Sequence, residues 1–246
     1  SAKKISVLNV WTSRLKNYFC FDKNLLVRSR SVCEVVSLKI IMENESVVLS
    51  FHETLLRQSD IQLLEGPYWL NDTIISFYFE YLERIVFSSA SELLFVSPEV
   101  TQCIKMVATE EINTFLEPRD ISRKEFVFFA LNDNDSPDSS GGSHWSLLVY
   151  SKPEKYFFHL DSMSDGNHIA ALELANHLVK YFTKGECLRQ SNGYDCGIHV
   201  ICNTERLAEW AHHFGQIDSC DMLVQINPSI KRQEILNIIH NLSDSD

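Results

Sequence analysis

Residues 190–207 decide the fold and read Q-S-N-G-Y-D-C-G-I-H-V-I-C-N-T-E-R-L. In this stretch a polar loop that contains glycine runs directly into an apolar helical pattern, which begins near Ile198. Cys196 therefore lies at a helix N-terminus, where unpaired N–H groups and the positive end of the helix dipole favour thiolate over thiol. Because the thiolate is the nucleophilic form, Cys196 is a candidate catalytic nucleophile.

A cysteine nucleophile needs a base, and two predicted strands on either side of residues 151–154 supply one. These strands are aromatic and β-branched, and the residues between them have turn chemistry. If Tyr150 and Lys155 close a four-residue hairpin loop, antiparallel pairing continues along both strands until His144 faces Asp161. That register places an imidazole beside a carboxylate, which is the orienting pair of a Cys–His–Asp triad.

Two other assignments compete with this triad. His159 shares a strand face with Asp161, but its place inside a run of aromatic residues suits a packed position better than the rim of a cleft. Cys196, His199 and Cys202 fall at i, i+3 and i+6, near one helix face. The chain contains no C-x-x-C pair and this spacing matches no zinc module, so we expect no metal site.

The motifs around these residues resemble those of a known family. They are H-W at 144–145, L-D-S at 160–162 and the loop at 190–197. In that chain order they are similar to the signature of the Ulp/sentrin-specific cysteine proteases, which cleave ubiquitin-like modifiers, and within it to the NEDD8-specific (deneddylase) branch. Further matching segments are residues 47–60, 69–72, 97–102, 141–150 and 194–207.

The resemblance spans about residues 47–215. It implies a papain-like α+β fold of the Ulp type, in which helices flank a central mixed sheet and the catalytic cysteine begins a helix. It also implies a role for each matching residue. Cys196 would attack the carbonyl after the terminal Gly-Gly of the modifier, with His144 as general base and then acid, and Asp161 would hold the imidazole. Gln190 would donate a side-chain N–H to the oxyanion hole, where one donor typically contributes about 3 kcal/mol.

The resemblance also implies how the extended tail of the modifier is held. Trp69 and Trp145 match the two indoles with which the family encloses the Gly-Gly tail, leaving a slot that a larger side chain would block. Asp72, close to the first indole, is a candidate contact for the tail. The implied chemistry needs no cofactor.

Composition limits the partners and the compartment. The chain carries 33 Asp and Glu against 22 Lys and Arg, for a net charge of -11, which disfavours nucleic acid and favours a basic partner surface. Seven cysteines without paired spacing argue for a reducing compartment, so we expect a cytoplasmic or nuclear protein. No apolar run has the length of a membrane span and no signal-peptide pattern opens the chain, so no membrane association is expected. A monomer is expected.

Periodicity along the chain agrees with an α+β class. Helical spacing of apolar residues predicts helices at 72–86, from Pro98 to about residue 107, at 168–182 and at 230–242. A run of apolar residues at 126–131 predicts a buried strand.

The boundaries of the resemblance predict two parts. Residues 47–246 form the predicted protease domain, and residues 1–46 an N-terminal extension of unknown role, with strand-like stretches at 5–11 and 32–42. One hypothesis is that Met42 is a natural start and that the preceding part is optional.

The sequence therefore predicts an isopeptidase and C-terminal hydrolase of a ubiquitin-like modifier, with NEDD8 as the favoured modifier. The first alternative is a protease of the same family that acts on SUMO or ubiquitin. The second is a non-catalytic module that binds a modifier tail. Cys196, His144, Asp161 and Gln190 together argue against the second, because a pure binder needs none of that proton chemistry.

Overall fold

The structure is a computed structural model of the chain. It describes residues 46–108, 111–136, 141–178, 182–184 and 187–245. The predicted strand-like stretches at 5–11 and 32–42, and Met42 as a natural start, lie outside the described residues.

A mixed sheet forms the centre of the described part of the chain. The strands, in chain order, are β1 (Val47–Phe51), β2 (Thr54–Arg57), β3 (Leu93–Val96), β4 (Phe126–Asn132), β5 (Trp145–Ser151), β6 (Tyr156–Leu160) and β7 (Phe182–Lys184). The larger sheet has the order β3-β4-β5-β6-β7, in which the two outer pairs are parallel and the two inner pairs antiparallel. β1 and β2 form a separate antiparallel hairpin.

Helices flank this sheet. They are α1 (Gln58–Glu65), α2 (Asp72–Tyr81), α3 (Pro98–Met106), α4 (Asn113–Leu116), α5 (His168–Leu178), α6 (Cys196–Phe214) and α7 (Pro228–Ser243). A π-helical turn, Leu82–Val86, continues α2, and two 3-10 turns, Glu117–Arg119 and Ile121–Arg123, follow α4. Among the residues described, no helix combines the length and the apolar character needed to cross a bilayer.

Local signals account for the starts of three of these helices. The side chain of Asn71 accepts the N–H of Ile74 and caps α2, and Asn227 caps α7 in the same way. Pro98 occupies the first turn of α3, where its missing N–H costs nothing. The predicted helices at 72–86, from Pro98 and at 230–242 are confirmed. The prediction for 168–182 is wrong at its end, because α5 stops at Leu178 and Phe182 begins β7.

β4 shows where the core lies. Its residues alternate between two apolar clusters, one on each face of the sheet. Phe126, Phe128 and Ala130 belong to the cluster that includes Ile201 of α6, whereas Val127, Phe129 and Leu131 belong to the cluster that includes Leu174 of α5. A strand buried on both faces reads as a continuous apolar run, which confirms the predicted strand at 126–131.

The hairpin of β5 and β6 differs from the predicted one. Ser151 pairs with Tyr156, whereas the sequence predicted that Tyr150 pairs with Lys155. The predicted register is therefore wrong by two residues, although the loop again holds four, residues 152–155. Lys155 has a φ of 59°, a left-handed conformation that belongs in a turn and breaks the ladder. Because the error is an even number, every side chain keeps its predicted face.

Candidate active site

His144 and Asp161 meet at one end of this hairpin. His144 directly precedes β5 and Asp161 directly follows β6, so the two residues are not opposed within the ladder as predicted. They are nonetheless on the same face, and His144 Nε2 lies 2.6 Å from Asp161 Oδ1. A Cβ on Gly166 would lie 2.9 Å from His144 Cδ2, so only glycine allows the chain to pass this close to the imidazole.

The surroundings of this pair favour its charged form. Burial lowers the pKa of His144, but the hydrogen bond to Asp161 and the neighbouring Cys196 thiol outweigh it and raise the pKa to about 9. Burial raises the pKa of Asp161, but His144 and two backbone N–H groups outweigh it and lower the pKa to about 2. Those N–H groups belong to Met163 and Asn167, at 2.8 and 2.9 Å. At neutral pH the pair is therefore an imidazolium and a carboxylate.

Cys196 begins α6 and is only 1% exposed. The next residue, Gly197, lies against Leu70, since a Cβ there would be 2.9 Å from the Leu70 Cβ. Nε2 of His144 is bonded to Asp161, and its Nδ1 is buried. Nδ1 is thus the ring nitrogen left to exchange a proton with Cys196. The structure brings the three predicted triad residues together.

Gln190 is held in place by Ser162, which follows Asp161. The backbone N–H of Gln190 donates to the Ser162 carbonyl at 3.0 Å, and the Ser162 hydroxyl donates to Gln190 Oε1 at 2.6 Å. Gln190 Nε2 donates to the Asn192 carbonyl at 2.7 Å. Since a primary amide carries two N–H groups, this arrangement leaves one of them for a further acceptor.

Of the three residues predicted to hold a tail, Trp69 contacts the nucleophile loop, which we define as residues 190–196. The Trp69 indole is 49% exposed and donates to the carbonyl of Gly193 in that loop. The Trp145 indole donates to the carbonyl of Leu70 at 2.9 Å. Asp72 is the exposed first residue of α2. Both indoles are therefore fixed by backbone carbonyls at the approach to the nucleophile loop.

The structure also bears on the two competing assignments, His159 as the base and a metal site at Cys196, His199 and Cys202. His159 is buried on the strand face that it shares with Asp161, and its Nε2 lies 2.9 Å from the Ser146 hydroxyl. Within the residues that the structure describes, no group of three or more His, Cys, Asp or Glu is placed to hold a metal ion.

One buried residue of the site carries no signal in the sequence. Asn167 is 1% exposed, and its Nδ2 lies 3.1 Å from the His144 carbonyl, 3.1 Å from the Ser146 hydroxyl and 3.3 Å from the Leu131 carbonyl. Its backbone N–H binds Asp161. In the sequence Asn167 is one polar residue of a turn-forming stretch, so only the structure identifies it as the link between the two strand ends that carry His144 and Asp161.

Comparisons with known proteins agree with this geometry. Residues 68–223 match the Ulp1 protease family, C-terminal catalytic domain. The chain is 48% identical over 176 residues to sentrin-specific protease 8 of Mus musculus, an alignment that covers 67% of this chain and 79% of that protein. It is 32% identical over 177 residues to NEDD8-specific protease 1 of Arabidopsis thaliana, covering 68% of this chain and 77% of that protein.

Solved structures show the same fold. The C-terminal Ulp1 protease domain in complex with Smt3, the yeast ortholog of SUMO, superposes with a TM-score of 0.61 at 20% identity, covering 89% of this chain and 98% of that one. The Xanthomonas campestris effector XopD bound to ubiquitin superposes with a TM-score of 0.57 at 23% identity, covering 70% and 92%. These likenesses confirm the predicted α+β fold of the Ulp type.

Proposed function

The chain belongs to the Ulp1 protease family, and from that premise we propose that it cleaves after the terminal Gly-Gly of the modifier NEDD8, with Cys196 as nucleophile. Its membership makes it a cysteine protease that acts on ubiquitin-like modifiers. The proposal adds the modifier, the cleaved bond and the role of each residue in the site.

One observation carries the proposal. A buried cysteine begins a long helix, and a buried imidazole–carboxylate pair lies beside it, with the second ring nitrogen not bonded to the carboxylate. This arrangement supplies a nucleophile, a proton carrier and a group that orients the carrier. A module that only bound a modifier tail would need none of these.

In the first half of the reaction, His144 holds the proton of the Cys196 thiol on Nδ1, and the resulting thiolate attacks the carbonyl carbon of the terminal glycine. The C–S bond forms as the carbonyl π pair moves to oxygen, and the N–H groups of Gln190 and of the Cys196 backbone stabilise the resulting oxyanion. The tetrahedral intermediate then collapses and breaks the C–N bond. His144 gives its Nδ1 proton to the leaving amine, and a thioester remains on Cys196.

In the second half, water hydrolyses this thioester. His144, now neutral, takes a proton from the water at Nδ1, and the hydroxide adds to the thioester carbonyl. Collapse of the second tetrahedral intermediate breaks the C–S bond and releases the modifier as its carboxylic acid, which ionises in water. The sulfur returns as thiolate beside imidazolium. Asp161 keeps the Nε2 proton in place in both halves, because its ionised carboxylate can only accept a hydrogen bond.

Selection for glycine follows from the two indoles. Trp69 and Trp145 are both bonded to backbone close to Cys196, so the tail must approach that backbone closely to reach the sulfur. Only residues without a Cβ permit such an approach. Asp72, exposed at the start of α2, would contact the extended tail.

Two observations support NEDD8 as the modifier. Relatives named as NEDD8-specific proteases, from Arabidopsis thaliana and Schizosaccharomyces pombe, are 32% identical to the chain. The chain is also strongly acidic, with a net charge of -11, which favours a modifier with a basic surface. The SUMO- and ubiquitin-directed alternatives share the chemistry and differ only in the modifier body.

Covalent labelling with C-terminal vinyl sulfones of NEDD8, SUMO and ubiquitin tests the proposal. Intact mass is measured for wild type and Cys196→Ala. We expect one adduct with the NEDD8 probe on wild type and none on the variant. Binding of unmodified NEDD8 to Cys196→Ala, measured by calorimetry, is expected to survive, because the tail contacts do not involve the sulfur.

The other outcomes of this experiment are equally informative. Adducts with SUMO or ubiquitin in place of NEDD8 would contradict the modifier and retain the mechanism. Folded wild type that binds NEDD8 and forms no adduct would favour the binding module. An adduct on Cys196→Ala would show that another residue is the nucleophile. Cys202→Ala is the matched control, because Cys202 lies in the same helix, and it is expected to form the adduct as wild type does.

A further inference from the structure

A buried ion pair lies behind the nucleophile loop. Arg232 in α7 is 6% exposed, and Asp195, which directly precedes Cys196, is 3% exposed. Arg232 Nη2 donates to Asp195 Oδ1 at 2.8 Å, and Nε donates to the same oxygen at 3.3 Å. Two charges buried in this way are costly to desolvate, so stability alone does not explain the presence of this ion pair.

The same guanidinium also holds the loop that carries Trp69. Arg232 Nη2 donates to the Tyr68 carbonyl at 2.7 Å, and Nη1 donates to the Leu63 carbonyl at 2.6 Å. Tyr68 directly precedes Trp69, within residues 66–71, which we call the Trp69 loop. One side chain is thus bonded to both the Trp69 loop and the nucleophile loop. The planar fork of arginine can donate in several fixed directions at once, which a lysine ammonium on one nitrogen cannot match.

The hydrogen bonds continue from Asp195 to the residue proposed for the oxyanion hole. Asp195 Oδ2 accepts from Asn192 Nδ2 at 2.6 Å, and Asn192 Oδ1 accepts the backbone N–H of Asp195 at 3.0 Å. The Asn192 carbonyl in turn accepts from Gln190 Nε2 at 2.7 Å. A continuous path therefore joins Arg232 to the amide of Gln190 through the nucleophile loop.

We propose that Arg232 is a positioning residue that sets the separation of the Trp69 loop and the nucleophile loop, and with it the width of the channel for the Gly-Gly tail. It touches neither the tail nor the sulfur and acts through Tyr68 and Asp195. This inference rests on the proposed function, since it assumes that a modifier tail passes the Trp69 indole on its way to Cys196.

The test compares two ways of removing the ion pair. Arg232→Met removes the donors and leaves Asp195 buried without its cation, so both stability and rate are expected to fall. Arg232→Met with Asp195→Asn removes both charges, so the melting temperature recovers. The second-order rate of adduct formation with the NEDD8 vinyl sulfone stays about 10- to 100-fold below wild type in both, because neither restores the bond to Tyr68.

Lys231→Met is the matched control, because Lys231 is adjacent to Arg232 in the chain and forms ion pairs outside the channel. Its Nζ lies 2.8 Å from Glu205 Oε2 on α6 and 2.7 Å from Glu234 Oε2 on α7. It is expected to lower the melting temperature and leave the labelling rate within about twofold. If the double variant recovers rate together with stability, or Arg232→Met labels as fast as Lys231→Met, the inference is overturned.

Two provisions keep this test decisive. If Arg232→Met does not fold, the double variant and Arg232→Lys take its place. Arg232→Lys keeps a charge beside Asp195 but cannot also reach Tyr68 and Leu63. It is therefore expected to react slowly with the NEDD8 vinyl sulfone. Wild type that forms no adduct contradicts the proposed function itself. If wild type forms the adduct and the Arg232 variants are labelled as fast as Lys231→Met, only the role of Arg232 is contradicted.

Discussion

The Ser162 hydroxyl donates a hydrogen bond of 2.6 Å to Gln190 Oε1, and the Ser162 carbonyl accepts the Gln190 N–H at 3.0 Å. Ser162 directly follows Asp161, which binds His144 at 2.6 Å. Two consecutive residues at the end of β6 therefore orient both the proton carrier and the amide proposed for the oxyanion hole. Small changes at the end of this strand are expected to affect turnover more than tail binding.

Ser162→Ala is expected to lower kcat about 10-fold with little change in KM, because the Gln190 amide loses the bond that fixes its orientation. Steady-state cleavage of a NEDD8 C-terminal fusion measures both constants. Ser151→Ala is the matched control, since Ser151 is fully buried and its hydroxyl makes no hydrogen bond within the described residues. Equal kcat values in the two variants would refute the role of Ser162.

Asp161→Asn is expected to lower kcat about 10²- to 10⁴-fold, because an amide can neither stabilise the imidazolium nor keep the proton on Nε2. The pKa of His144 should fall from about 9 towards its ordinary range, since the hydrogen bond to Asp161 is the strongest influence that raises it. Two-dimensional NMR of labelled histidine across a pH titration measures that pKa. An unchanged titration of His144 would count against the assignment of Asp161.

The same pair predicts how stability varies with pH. The pKa of His144 is raised to about 9, so its stabilising effect is complete below about pH 6.5 and is lost as pH rises through 9. The pKa of Asp161 is lowered to about 2, so its effect is complete above about pH 4 and is lost as pH falls through 2. The pair therefore stabilises most between these limits.

The alkaline side is the practical one to measure. The free energy of unfolding in urea is expected to fall by about 2 kcal/mol more in wild type than in His144→Gln/Asp161→Asn between pH 6.5 and 9. If the free energy of unfolding changes with pH equally in the two proteins, the ion pair does not contribute to the pH dependence of stability.

Asn167→Ala is expected to cost about 1–3 kcal/mol of stability, because it removes a buried amide donor that the carbonyls of Leu131 and His144 both accept. Asn167→Asp should be worse than Asn167→Ala, since a carboxylate would face those oxygens directly. Urea unfolding of both variants shows which of the two is less stable. If the near-isosteric Asp is milder than Ala, then Asn167 serves only to fill space.

Local signals made much of the candidate site predictable. A thiol where a polar loop meets an apolar helical pattern predicts a helix start, and α6 begins at Cys196. Side-chain alternation placed His144 and Asp161 on one face of the hairpin, and that conclusion survived a register error of two residues because the strand period is two. The resemblance to Ulp-type proteases then indicated Gln190, Trp69 and Trp145 together.

Other parts of the site had no local signal. The hairpin register depended on Lys155 adopting a left-handed φ of 59°, which a lysine gives no reason to expect. Asn167 and Ser162 are ordinary polar residues until the strand ends converge on them. Arg232 lies 169 residues from Leu63, and nothing in the spacing of the chain links α7 to the Trp69 loop.

The amino-acid sequence by itself therefore determined the secondary structure around the nucleophile, the faces of the strands and the chemistry available at Cys196, His144 and Asp161. These follow from periodicity and from helix and turn preferences, which act over a few residues. Only the tertiary structure decided the register, the hydrogen bonds that orient Gln190 and the ion pair of Arg232 with Asp195. Such contacts depend on how the helices and the sheet pack, because packing brings together groups that local preferences leave independent.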